Sequence, residues 1–76
     1  SVVPNPFSDY FVVNYNKNEL IKDIRCFNLI GEYFDLPTYE LSSEKLLLDS
    51  DFLINGLYFI VIRTKDEIIS IPAVKF

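Results

Sequence analysis

The stretch Asp49-Ser50-Asp51, followed by Asn55-Gly56, comes nearest in this sequence to a cation-binding loop. A calcium loop needs oxygen ligands at alternate positions and a glycine at the sharp turn. Counted from Asp49, Leu53 falls where an oxygen ligand belongs and Ile54 where the glycine belongs. The two aspartates therefore read as solvated turn residues, and no metal is expected. Cys26 is the one cysteine, and histidine is absent. Those counts exclude a His/Cys zinc site, a Cys-His or Ser-His nucleophile pair and an intrachain disulfide. The eleven acids are scattered through expected loops and strand ends instead of paired in a cleft. No G-x-S-x-G, phosphate-cradling glycine loop or N-x-S/T acceptor occurs. The expected domain is non-enzymatic and carries no cofactor.

Bulk properties narrow the partners. The chain has 76 residues, half of them apolar, and a formal net charge of −4. This is enough apolar content for a core but places no clustered Lys/Arg against phosphates, so nucleic acid is excluded as a partner. The longest apolar run, Leu57 to Ile62, is far short of the ~20 residues of a membrane helix. No charged segment followed by an apolar stretch opens the chain as a secretory signal would. The abrupt start at Ser1-Val2-Val3-Pro4 reads like the interior of a larger protein.

Positioning these residues falls to strands, because the hydrophobic pattern repeats every second residue. Phe11, Val13 and Tyr15 alternate with Tyr10, Val12 and Asn14. The polar loop Asn16-Lys17-Asn18-Glu19 has the chemistry of a hairpin turn. A second strand, Leu20 to Leu29, is expected to turn Leu20, Ile24 and Cys26 inward, with Lys22 interrupting that face; the alternative register turns Ile21, Phe27 and Leu29 inward together with Asp23 and Arg25. Gly31 breaks it, supplying a positive φ or a bulge. Short strands follow from Glu32 to Leu36, ended by Pro37, from Thr38 to Leu41, and from Lys45 to Leu48. A helix opening at Ser42 is the alternative for the last of these, with Asp49-Ser50-Asp51 as its stop. Asn55-Gly56 leads into Leu57 to Thr64; Lys65-Asp66-Glu67 turns the chain, and Ile68 to Val74 closes it. Six or seven short strands so spaced predict a small antiparallel β-sandwich.

The strand after Gly56 is apolar on both faces. With Tyr58, Ile60 and Ile62 toward the core, Leu57, Phe59 and Val61 lie on the other side, before Arg63 restores polarity. A two-layer sandwich covers one face of each sheet. Leu57, Phe59 and Val61 are therefore the candidate docking face, for a partner, a preceding domain or a second copy; loops folding over the strand are the alternative.

Taken in order, several segments form a pattern. Pro4-Asn5-Pro6-Phe7-Ser8 precedes the first alternating strand; Phe27-Asn28-Leu29-Ile30-Gly31-Glu32, Leu46-Leu47-Leu48-Asp49, Ile54-Asn55-Gly56-Leu57-Tyr58-Phe59-Ile60-Val61 and Ile68-Ile69-Ser70-Ile71-Pro72-Ala73-Val74-Lys75 follow. The set, across nearly the whole chain, resembles the C-terminal sorting domain of type IX secretion cargo from Bacteroidetes. That resemblance implies an immunoglobulin-like sandwich of about seven strands, serving as the export address of a larger secreted or surface protein. It also implies as partners an upstream cargo domain, an outer-membrane translocon and a sortase-like surface protease that removes the domain. By the same resemblance Pro4, Asn5 and Pro6 form the first motif, Gly31 ends the second strand, Gly56 and Tyr58 form the G-x-Y motif, and Lys75 is the terminal lysine. The prolines favour an extended lead-in, and the glycines and the tyrosine have ready structural roles.

The sequence departs from the family pattern at Ile71 and Pro72, where lysines are usual. Pro72 also lacks a ladder donor, which predicts an edge strand. An accessory sandwich that spaces or supports an enzyme, or binds glycan, is the alternative function. A homodimer through an uncovered edge or the apolar face is a further expectation.

Overall fold

The computed structural model describes residues 1–76. It contains eight strands and no helix: β1 (Val2–Val3), β2 (Tyr10–Asn14), β3 (Ile21–Asn28), β4 (Tyr33–Phe34), β5 (Thr38–Ser42), β6 (Lys45–Asp49), β7 (Gly56–Thr64) and β8 (Ile68–Lys75). They form two antiparallel four-stranded sheets, ordered β1-β2-β6-β5 and β4-β3-β7-β8. This is the strand order of an immunoglobulin-like sandwich. The alternating side chains of the inner faces make the core, with Phe11 and Val13 of β2, Leu48 of β6, Cys26 of β3, and Tyr58, Ile60 and Ile62 of β7 all buried.

The expected hairpin at Asn16–Glu19 is corrected. β2 pairs with β1 and β6, and β3 with β4 and β7, so this loop carries the chain from one sheet to the other. The loop does reverse tightly: Glu19 N donates to Asn16 O at 2.8 Å, and Asn18 N to Asn16 Oδ1 at 3.2 Å. Turn chemistry specifies such a reversal. Whether the legs pair or stack depends on their two apolar faces, which meet across the core.

The second strand also differs from its expected register. Cys26 and Ile24 turn inward as predicted, but Leu20 lies outside the strand and is exposed. A β-bulge at Lys22, between the Ile21–Thr64 and Asp23–Arg63 pairs, resets the phase and brings Ile21 against the core. The extra residue carries the lysine outward, which a regular strand could not do without moving its neighbours to the other face.

Only Tyr33–Phe34 of the expected Glu32–Leu36 strand is paired, while Leu36 crosses between the sheets and is buried. No helix opens at Ser42. Ser42 and Lys45 pair directly, and Ser42 Oγ accepts from Glu44 N at 3.2 Å, closing a two-residue hairpin between β5 and β6. The Lys65–Glu67 turn forms as expected, with Thr64 N donating to Glu67 O and Glu67 N to Thr64 Oγ1.

Candidate functional site

The sequence-singled residues gather into two places. The first is a clip that joins the two ends of the chain. Val2 and Val3 pair with Val13 and Val12 at the edge of one sheet. The chain then bends at Pro4 and Pro6, both preceded by cis peptide bonds, in place of the expected extended lead-in. It reaches β8 of the other sheet, where Phe7 N donates to Val74 O at 2.8 Å and Phe76 N to Phe7 O at 2.9 Å. Asn5 completes the join, donating from Nδ2 to Pro72 O at 3.1 Å and accepting at Oδ1 from Val74 N at 3.3 Å. Phe7 fills the core beneath, edge-on to Phe11 at 5.1 Å.

β8 is an edge strand, as Pro72 predicted. The carbonyls of Pro72 and Val74 point away from β7, toward Asn5 and Phe7, so the donor missing at Pro72 lies on the open side and interrupts no pairing with β7. Lys75, the match to the family's terminal lysine, is 95% enclosed, and its ammonium donates to Ser8 O. Its charge faces the clip.

The second place is an open end of the sandwich. Asn28 organises the β3–β4 loop: its Oδ1 accepts from Ile30 N at 3.1 Å and Glu32 N at 2.9 Å, and its Nδ2 donates to Glu32 Oε1. Gly31 takes φ +85°, and a Cβ there would meet nothing within 4 Å, so the backbone and not crowding demands glycine. Gly31 is legible in the sequence as the strand's break, whereas Asn28 stands there only as one residue of the family pattern. Its signal was the side chain of asparagine, which commonly bonds backbone amides two residues on.

Gly56 opens β7. Two residues later Tyr58 lies in the core, and its hydroxyl donates 2.7 Å to Ile54 O. Near the start of this strand, a buried tyrosine reaching a carbonyl just upstream is the tyrosine corner of immunoglobulin-like sandwiches. Its ring meets Phe34 edge-on at 5.9 Å. Burial pushes the Tyr58 hydroxyl above its ordinary pKa, and the nearby Cys26 adds to the shift.

Between the two loops lies a groove of about 480 Å³, lined in part by Leu29, Ile30, Phe52, Ile54 and Leu57. Ile30 and Ile54 are 81% and 80% exposed, well beyond what core packing requires of isoleucine. This groove is not legible in the sequence, because Ile30 and Ile54 sit in loops, where alternation carries no information. From the groove the apolar surface continues over the outer face of the β4-β3-β7-β8 sheet. Leu57 lies beside Val74, and the next row crosses all four strands as Tyr33, Phe27, Phe59 and Pro72. Phe27 and Tyr33 touch at 5.7 Å. Then come Arg25, Val61 and Ser70, and finally Asp23, Arg63 and Ile68, where Arg63 Nε donates to Asp23 Oδ2 at 3.0 Å. Leu57, Phe59 and Val61 are half-buried members of this face. Neighbouring strands shield their flanks.

Cys26 is buried, and desolvation pushes its thiol up to about 11. Asp49 and Asp51 serve the turn after β6, where Asp49 Oδ1 accepts from Asp51 N at 3.0 Å. Ser50 between them is buried and donates to Ser8 O at 2.9 Å.

The fold and its surfaces define a small immunoglobulin-like sandwich, tied at its termini and apolar along one end and one outer face. The family model for a secretion system C-terminal sorting domain matches residues 1–74, and the chain belongs to that family, the sorting signals of type IX secretion. Membership makes the protein that carries the domain a secreted or cell-surface cargo. No curated protein and no solved structure gives a significant match.

Proposed function

We propose that the domain is a non-catalytic address label that the outer-membrane translocon of the type IX system reads as a folded shape. The docking surface is the outer face carrying Leu57, Phe59 and Val61, extended by the groove at Leu29, Ile30, Phe52 and Ile54. One observation carries this reading. The row Tyr33–Phe27–Phe59–Pro72 crosses the whole sheet with no charged side chain, and the adjoining pair Leu57–Val74 leads it into the groove. A contiguous apolar surface of this kind on a small sandwich favours a protein partner.

Pro4, Asn5, Pro6 and Lys75 act by holding the termini together, and Gly31, Gly56 and Tyr58 by shaping the groove. After passage through the periplasm, a sortase-like surface protease removes the domain from its cargo. The geometry favours a cut upstream of Val2, because Val2 and Phe7 are core residues and a cut between them would strip Val2 from the sandwich.

The test fuses residues 1–76 to a periplasmic reporter in cells with and without the secretion system. Reporter at the surface only when the system is present is expected. Equal retention in both strains would overturn the reading.

A further inference from the structure

The four sheet edges are guarded unequally. β1 and β4 are two residues long, and β8 is clipped by Asn5 and Phe7 and carries Pro72. β5 is the long edge without a cover, and all five of its residues are exposed. Short, proline-bearing, bulged or covered edges are the usual defence against strand addition. β5 has only a bulge at Leu41, and the stretch from Thr38 to Glu40 runs in regular register.

Its outward backbone groups can be assigned. Asp49 N donates to Pro37 O at 2.8 Å, so Pro37 faces β6, and by alternation Tyr39 does too. Thr38 and Glu40 then turn their N–H and C=O groups away. The other side of β6 agrees: Ser50 N bonds Asp9 O and Tyr15 N bonds Glu44 O, so Leu48 and Leu46 face β2. Those are the residues opposite Thr38 and Glu40. Two donors and two acceptors thus stand free along the edge, flanked by Tyr39 and Leu41, each more than half exposed.

We propose that β5 accepts an extended, basic strand from a partner polypeptide, lengthening the β1-β2-β6-β5 sheet by one strand. Backbone pairing supplies the fit, and charge selects the occupant. From Glu32 to Asp51 the chain holds six acids against Lys45 alone, more negative charge than the whole molecule's −4. A second copy paired edge to edge would bring two such segments together. A strand bearing Lys or Arg at alternate positions meets them with opposite charge. The proposal rests on the edge of β5, and stands or falls independently of docking by the other sheet.

Amide hydrogen exchange on the full chain tests it, with a ten-residue peptide of alternating lysine and valine as the probe. The amides of Thr38 and Glu40 exchange freely in the chain alone and slow at least tenfold at saturating peptide, with the effect weakening as salt is raised. A glutamate-valine peptide does not protect them, nor does the lysine peptide with a central proline. Glu40→Lys weakens binding several-fold. Glu40→Pro abolishes it while keeping the β5–β6 ladder, because that N–H has no internal partner. Equal protection by all three peptides, protection mapping only to other strands, or amides already slow in the free chain would each overturn the proposal. So would protection that grows with protein concentration without peptide, which would mean self-pairing.

Discussion

The side-chain amide of Asn5 lies against Pro72, 67 residues further along, and donates to its carbonyl at 3.1 Å. With the return bond from Val74 N, the asparagine stands in for a strand residue at an edge where proline supplies no donor. The P-N-P motif therefore does its work on the last strand and not on the residues that follow it. Asn5→Ala removes both bonds at a solvent-accessible site, which should cost about 1–2 kcal/mol. Urea unfolding measures the loss, and amide exchange at Val74 should quicken with it.

Tyr58→Phe tests the corner. The ring stays packed between Phe7 and Phe34, and only the bond to Ile54 O is lost. Because Ile54 is open to water, its carbonyl can be rehydrated, and the cost should be about 1 kcal/mol. Tyr58→Ala empties the core instead and should cost about 3–5 kcal/mol. Equal losses for the two variants in urea unfolding would show that the ring contributes little.

Cys26 predicts an alkaline limit. Its thiol is neutral in the fold up to about pH 11, whereas in the unfolded chain it ionises near its ordinary value of 9.0. The stabilisation is present in full below pH 9 and is lost as pH rises toward 11, because ionisation then favours the unfolded state. Two pH units correspond to about 3 kcal/mol. Tyr58, shifted the same way, adds to the decline. Unfolding midpoints between pH 8 and 11 should fall less steeply for Cys26→Ala than for the parent.

For the docking face, Phe59→Ser with Val61→Ser should leave the sandwich folded while reducing export at least tenfold. Both side chains are already half open to solvent, so each substitution should cost about 1–2 kcal/mol. The comparison is Val12→Ser, a half-buried residue on the outer face of the opposite sheet. Export that falls equally for both would trace to stability alone. Circular dichroism confirms the fold, and surface display of a fused reporter measures export.

Alternation and turn chemistry made much of this protein legible in advance. Period two alone groups Phe11 with Val13 and Tyr58 with Ile60 and Ile62 and turns Cys26 inward, and the break at Gly31 calls for a positive φ or a bulge. The fold buries these five grouped residues and Cys26 and gives Gly31 the positive φ. These are local properties: each residue's neighbours in sequence decide which face it shows or what backbone it must adopt. What only the tertiary structure decided depends on partners far away. It paired β2 with β6 and not with β3, inserted the bulge at Lys22, and buried Lys75 against Ser8. It also joined Asn5 to Pro72 and brought Ile30 to Ile54 across a groove. A strand's sequence states that it needs a cover and an edge partner; which segment supplies them follows from packing the whole chain into two layers at once.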